Sequence, residues 1–275
     1  MIEILKAILF GIVEGVTEWL PISSTGHLIL LDQLVALNVS DEFKTMFDVV
    51  IQLGAILAVV VLFFHKLNPF AGDKTAPEKK STWNLWAKVV VSIIPYGVVG
   101  VLFDDWMDAH LHTAPVVAAM LIVYGVAFLL VERRYQGRHL AVDTVDHMDW
   151  RTAVGIGLFQ CLSLIPGTSR SGSTILGGIL LGASRSAAAE FSFFMAIPTM
   201  LGASGIKLLK FFLTGVGFGG SELAVLLVGC LVSFLVSLLV IRGLMDYVRN
   251  HSFSVFGVYR IVLGVVVLVW FALAK

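Results

Sequence analysis

Charge is what this sequence has least of. Only 14% of its 275 residues are charged, against roughly a quarter in an ordinary soluble domain. The 19 acidic and 19 basic side chains cancel, so the basic surface that nucleic-acid binding needs is missing. Cysteine is nearly absent. Cys161 and Cys230 both lie in apolar stretches, which excludes an extracellular disulfide scaffold and leaves the redox compartment unspecified. Low-complexity segments and long linkers are lacking too; the most polar stretch, 65–82, reads as a short loop. No cleavable signal peptide is expected. The first apolar stretch is interrupted by Glu3, Lys6, Glu14 and Glu18, and no small-residue cleavage site follows it.

Apolar residues fill the space that charge leaves. They make up 58% of the chain, and the mean hydropathy is +0.93. A single soluble core of this size does not need so much apolar surface, whereas a lipid-facing bundle does. The chain is therefore read as an all-α integral membrane protein. Runs long enough to cross a bilayer lie at 43–64, 83–103, 114–131, 186–213, 222–241 and 253–273. Four shorter pieces, 2–19, 27–37, 151–165 and 175–183, form two pairs. Each pair is split by a break rich in Pro, Gly and hydroxyl residues, Pro21–His27 in the first and Pro166–Gly172 in the second. Irregular backbone at membrane depth is tolerated only against protein or a wet cavity, so both pairs are expected to be re-entrant hairpins.

The order of a short pair and then three spans occurs twice. Leu20-Pro21 with Ser24 answers Ile165-Pro166 with Ser169, and Phe47 answers Phe191. One membrane domain, 1–275, built from repeat halves 1–140 and 145–275 is expected. Three spans per half is an odd number, which inverts the second half. Basic residues set the orientation: Lys66, Lys74, Lys79 and Lys80 in loop 65–82, Arg133, Arg134 and Arg138 in 132–150, and Arg242 and Arg249 in 242–252. These loops are expected on the cytoplasmic face. Loop 104–113, with Asp104, Asp105 and Asp108, and both termini are then external.

Ionisable groups inside apolar helices mark function by default. Glu14 and Glu18 stand one helical turn apart, so both carboxylates face one way and repel each other. Ser23, Ser24, Thr25 and His27 crowd the break beyond them; helix capping accounts for one hydroxyl, not three and a histidine. Ser24 is the best placed nucleophile, and a local turn is expected to bring the His27 imidazole to it for proton transfer; the sequence leaves open whether His27 itself takes the phosphoryl group. The second break, Pro166-Gly167-Thr168-Ser169-Arg170-Ser171-Gly172-Ser173-Thr174, opens a half-helix. Free N–H groups and one guanidinium there make a phosphate cradle. Its phosphate-binding residues are taken to be Arg170, Ser169, Ser171 and Thr174. Glu18, supported by Glu14, is expected to hold a divalent cation (Mg²⁺ or Ca²⁺), orient the nucleophile or activate water. Asp48 with Gln52 and Glu190 with Ser186 read as cavity lining. His110 and His112 read as a solvated loop in preference to a metal site.

Glu14-Gly15-Val16-Thr17-Glu18-Trp19-Leu20-Pro21-Ile22-Ser23-Ser24-Thr25-Gly26-His27 and Pro166-Gly167-Thr168-Ser169-Arg170-Ser171-Gly172 together resemble the undecaprenyl-diphosphatase, or bacitracin-resistance, family. Phe47–Gly54 and Glu190–Phe193 fit the same resemblance, although Asp48 stands where some members have a glutamate. The resemblance implies a multi-pass enzyme of the bacterial inner membrane with its site open to the outer face. Its substrate would be undecaprenyl diphosphate, hydrolysed to undecaprenyl phosphate and inorganic phosphate. It would thereby recycle the carrier lipid of peptidoglycan synthesis and confer bacitracin resistance. It also implies functional roles for Glu14, Glu18, Ser24, His27, Ser169, Arg170 and Thr174. The partners expected are the lipid diphosphate and membrane lipids, with no nucleic acid and a homodimer left open. A secondary transporter or lipid flippase stays as the rival reading, since broken helices in inverted repeats suit both.

Overall fold

The computed structural model describes residues 1–111, 113–137, 141–213, 215 and 217–273. His112 and Arg138 lie outside the described residues, as do the side chains at 104, 105, 108 and 109. In chain order the helices are α1 (Ile2–Thr17), α2 (Ser24–Leu34), α3 (Asp41–Val50), α4 (Gln52–Leu62), α5 (Phe64–Leu67), α6 (Ala76–Leu111), α7 (Ala114–Tyr135), α8 (Trp150–Cys161), α9 (Arg170–Leu180), α10 (Arg185–Leu213), α11 (Glu222–Asn250) and α12 (Ser254–Leu273). Short 3₁₀ turns at Val145–His147 and Leu162–Leu164 complete the set. The one extended pairing among the described residues is the bridge of Val142 with Ala183.

Six helical stretches are long and apolar enough to cross a bilayer: Asp41–Leu62, Ala76–Phe103, Ala114–Tyr135, Arg185–Leu213, Glu222–Asn250 and Ser254–Leu273. Each of the six expected spans falls on one of them. The four shorter pieces are α1, α2, α8 and α9, none of which is among the six.

These helices are patterned inside out relative to a soluble bundle. Along α11, Leu227, Leu231, Leu235 and Leu239 recur every helical turn and point outward, while Gly229, Ser233 and Ser237 are buried. Lipid tails solvate the leucines, and small inward residues let backbones approach closely. Gly11 of α1 and Gly157 of α8 show how close. A Cβ at Gly11 would sit 2.6 Å from the Gly229 carbonyl oxygen, and one at Gly157 would sit 2.0 Å from that of Ser92. Thus α1 seats on α11 and α8 on α6, and α7 packs along α12. The α6–α8 contact is tied further by Ser92, whose hydroxyl donates to the Ala153 carbonyl at 2.8 Å.

Candidate active site

Both broken helices turn the chain the same way. After α1 ends, the chain passes Pro21 to Ser23, whose φ of 74° is in the left-handed region. The Ser23 hydroxyl then caps α2 by accepting from the Gly26 N–H at 3.4 Å. After Pro166, Ser169 has a φ of 73° and caps α9 by accepting from the Gly172 N–H at 3.1 Å. Among the described residues these are the two non-glycine positions with positive φ. Such strain persists where the surroundings over-determine it, commonly at functional sites. In capping place Ser169 matches Ser23, although Ser169 stands three residues after its proline and Ser23 two.

With Ser23 committed to the cap, Ser24 opens α2 and its hydroxyl is free for another partner. That partner is Glu18. Ser24 Oγ donates to Glu18 Oε2 at 2.8 Å. From the other half of the chain, Arg170 donates to Glu18 Oε1 through Nη2 at 3.0 Å and Nε at 3.3 Å. The remaining side of the guanidinium, Nη1, reaches the Ser192 carbonyl at 2.8 Å and its hydroxyl at 3.2 Å. Ser24, Glu18 and Arg170 are all largely buried, so their charges act in a poorly screened setting.

The structure distributes the other expected site residues differently. Ser171 donates to the Glu18 and Leu20 carbonyls at 3.0 and 3.2 Å, stitching one turn to the other. Thr174 pairs with the Ser192 hydroxyl at 2.7 Å and donates to the Arg170 carbonyl at 2.9 Å. The three hydroxyls expected to bind phosphate are therefore engaged within the protein, and Arg170 holds the central position. His27 does not bond Ser24. Its Nδ1 lies 2.7 Å from the Ser23 carbonyl and its Nε2 lies 2.6 Å from the Tyr259 hydroxyl, because α2 turns the ring toward α12. Glu14 is fully buried, and neither carboxylate oxygen has a partner.

Two residues that sequence reasoning missed come from α12. Arg260 is wholly buried and donates to the Pro21 carbonyl at 3.0 Å and to the Gly167 and Thr168 carbonyls at 2.8 Å each. It clamps both turns at once. The signal was present in the sequence: one arginine inside the apolar run 253–273. Tyr259 is its neighbour. Ser192, which holds Arg170, carried no signal beyond its place in the stretch Glu190–Phe193.

The weaker candidates have partners of their own, and Asp48 also lies within electrostatic reach of Glu14. Asp48 pairs with Lys44, and Glu190 with Lys66 at 2.7 Å. His110 stacks on Trp106. A cavity of about 300 Å³ is lined by Asp41, Thr45, Lys207 and Phe211, and one of about 480 Å³ by Glu132, Arg133, Arg185 and His251. Neither touches Ser24, Glu18 or Arg170. Among the described residues no three His, Cys, Asp or Glu side chains gather as a metal cluster. Glu18 has both oxygens occupied, whereas Glu14 has two unpartnered ones. That donor set fits a Mg²⁺-type ion, which takes one or two carboxylates and completes its shell with water and substrate phosphate oxygens.

The family model described as bacitracin resistance protein BacA matches residues 7–266. A protein of Streptococcus mutans named undecaprenyl-diphosphatase is 60% identical over 267 residues, covering 97% of this chain and 95% of the relative. Relatives of the same name from Enterococcus faecalis and Limosilactobacillus fermentum are 57% and 55% identical, over 97% and 99% of this chain and 96% and 99% of their own length.

Proposed function

The chain belongs to the bacitracin resistance protein BacA family, and from that premise we propose that it hydrolyses undecaprenyl diphosphate to undecaprenyl phosphate and inorganic phosphate. The activity recycles the lipid carrier of cell-wall synthesis and confers bacitracin resistance. The observation that carries the reading is the buried hydrogen-bonded series Ser24–Glu18–Arg170, which joins a nucleophile, a base and a phosphate-binding cation.

The chemistry follows from those contacts. The Nε/Nη2 edge of Arg170 that now holds Glu18 is the edge that matches two phosphate oxygens. Arrival of the diphosphate exchanges carboxylate for phosphate on that fork and leaves Glu18 to act as base on Ser24. Ser24 Oγ attacks the terminal phosphorus, its proton passes to Glu18, and the anhydride bond breaks to release undecaprenyl phosphate. Water then attacks the phosphoseryl phosphorus. The Ser24 Oγ–P bond breaks, Glu18 returns its proton to Ser24, and phosphate leaves with the protons of the water. Ser192 fixes the guanidinium from behind, and Glu14 is the residue that would hold a divalent cation. When bound, such an ion supplies neutralisation of diphosphate charge.

The architecture we propose is one membrane domain of two inverted repeats, 1–140 and 145–275, each with a re-entrant hairpin ahead of three spans. Its support is the matched caps at Ser23 and Ser169 and the exchange of packing, with the broken helix of each half seated on a long helix of the other. Reciprocal packing of α7 on α12 fits an axis running between them. The basic residues of loops 65–82 and 132–150 support a cytoplasmic side for both loops, and with it a site open to the outer face of the inner membrane. Cysteine labelling of intact cells should reach position 108 and not position 79; the opposite pattern reverses the orientation.

Detergent-purified protein supplied with a long-chain prenyl diphosphate tests the activity. Release of inorganic phosphate is expected. Binding without release would favour a carrier of the lipid over a hydrolase.

A further inference from the structure

Helices α1 and α3 start at one end of the bundle and run in the same direction. Glu3, in the first turn of α1, accepts from the Asn38 N–H at 2.8 Å, two residues before Ser40 caps α3. Further along, the Phe10 and Phe47 rings meet edge to face with centroids 6.0 Å apart, and Lys44 Nζ lies 4.9 Å from the Phe10 centroid. Glu14 stands one helical turn beyond Phe10, and Asp48 stands one turn beyond Lys44. The two carboxylates therefore come to one depth. Glu14 feels the charge of Asp48 as well as those of Glu18 and Arg170.

Lys44 Nζ holds Asp48 Oδ2 at 2.5 Å and Asp32 Oδ1 at 3.3 Å. Asp48 Oδ1 is left buried with no hydrogen-bond partner in the protein, as are both oxygens of Glu14. The Ser233 hydroxyl on α11 is buried and unpartnered too. Ser233 abuts α1 at the level of Glu14: a Cβ at Gly11 would sit 3.2 Å from its nitrogen, and one at Gly15 would sit 2.8 Å from its carbonyl oxygen. Orphaned carboxylate oxygens in such a setting are costly unless a cation satisfies them. The charges do not close either. Glu18 is balanced by Arg170, while Glu14, Asp48 and Asp32 share the one cation of Lys44. Two negative charges are left over, which is what one divalent ion of the oxygen-seeking kind neutralises. Resting on the phosphatase reading above, in which Glu14 holds such an ion, we propose that Asp48 is its second carboxylate ligand, through Oδ1, with Ser233 closing the site from α11. Glu14 stands one turn before Glu18, so the charge of the ion acts beside the Ser24–Glu18–Arg170 series.

Equilibrium dialysis of metal-free, detergent-purified protein against radiolabelled Ca²⁺ reads the site without turnover. It is run with and without inorganic phosphate, which can fill the remaining positions on the ion. Asp48→Asn should raise the dissociation constant by at least about tenfold. Asp48→Glu keeps the carboxylate and should stay within about threefold. Lys44→Gln removes the competing cation and frees Oδ2, so binding should tighten by about threefold or more. Asp32→Asn is the control for a general field effect: it removes an acid from the same network that has no orphaned oxygen, and should change binding by less than about twofold. No bound ion in either buffer, unchanged binding in Asp48→Asn, or equal losses in Asp48→Asn and Asp32→Asn would overturn the proposal. Should Asp48→Asn fail to fold, an affinity that does not rise in Lys44→Gln overturns it as well. An unaltered protein that binds the ion through Asp48 yet releases no phosphate would overturn the phosphatase reading and leave this site in place.

Discussion

Arg170 and Glu18 come from opposite halves of the chain and meet at 3.0 Å, Nη2 to Oε1, with both side chains less than one-tenth exposed. A buried pair of this kind is weak as a stabiliser, because two charges must first be taken out of water. Phosphate matches the guanidinium fork as well as the carboxylate does, and in the mechanism we propose it takes the carboxylate's place.

Arg170→Lys tests that exchange. An ammonium is a point charge without the planar fork, and it cannot hold Ser192 while presenting two parallel donors. Turnover should fall by about 10²–10³, the cost of losing one donor aimed at developing charge, and Arg170→Ala should be little worse. Phosphate-release assays on both variants give the comparison. Near-normal turnover in the lysine variant would mean that charge alone was needed.

Arg260 should matter for stability first. Arg260→Met keeps the bulk and leaves the Pro21, Gly167 and Thr168 carbonyls without their donor. Each buried carbonyl left unpaired costs about 1–3 kcal/mol, so the thermal midpoint in detergent should drop and activity should fall with it. An unchanged midpoint would show that the clamp contributes nothing to holding the two turns together.

The helical class, the six spans and both breaks were legible in the sequence, because a bilayer imposes length and polarity rules that composition obeys directly. The site was legible as a set of residues but not as a set of contacts. Ser24 could be paired with Glu18 only once Ser23 was seen to take the cap, a choice made by one backbone angle. Ser169, Ser171 and Thr174 read as phosphate ligands by type, yet each hydroxyl is engaged within the protein. Arg260 and Tyr259 lie more than two hundred residues from the first break. Nothing local links them to it except the expense of an arginine in an apolar run.

Glu14→Gln addresses the cation. The substitution preserves shape and removes one anionic ligand, so the divalent-ion concentration needed for half-maximal rate should rise while the rate at saturating ion changes less. Titration of phosphate release with Mg²⁺ and Ca²⁺ measures both quantities. An identical titration curve would remove Glu14 as the holding residue.

The account stands most directly on Ser24 as the nucleophile. A serine that merely starts a helix contributes about 1 kcal/mol of stability and little chemistry, whereas removing a nucleophile costs orders of magnitude in rate. The decisive measurement is phosphate release from prenyl diphosphate by Ser24→Ala, with folding and lipid binding verified on the same preparation. The account expects a folded protein that binds the diphosphate and turns over at least about a hundredfold more slowly. A folded Ser24→Ala protein working at near the unaltered rate would contradict it and transfer the nucleophile to His27 or to a water activated by Glu18.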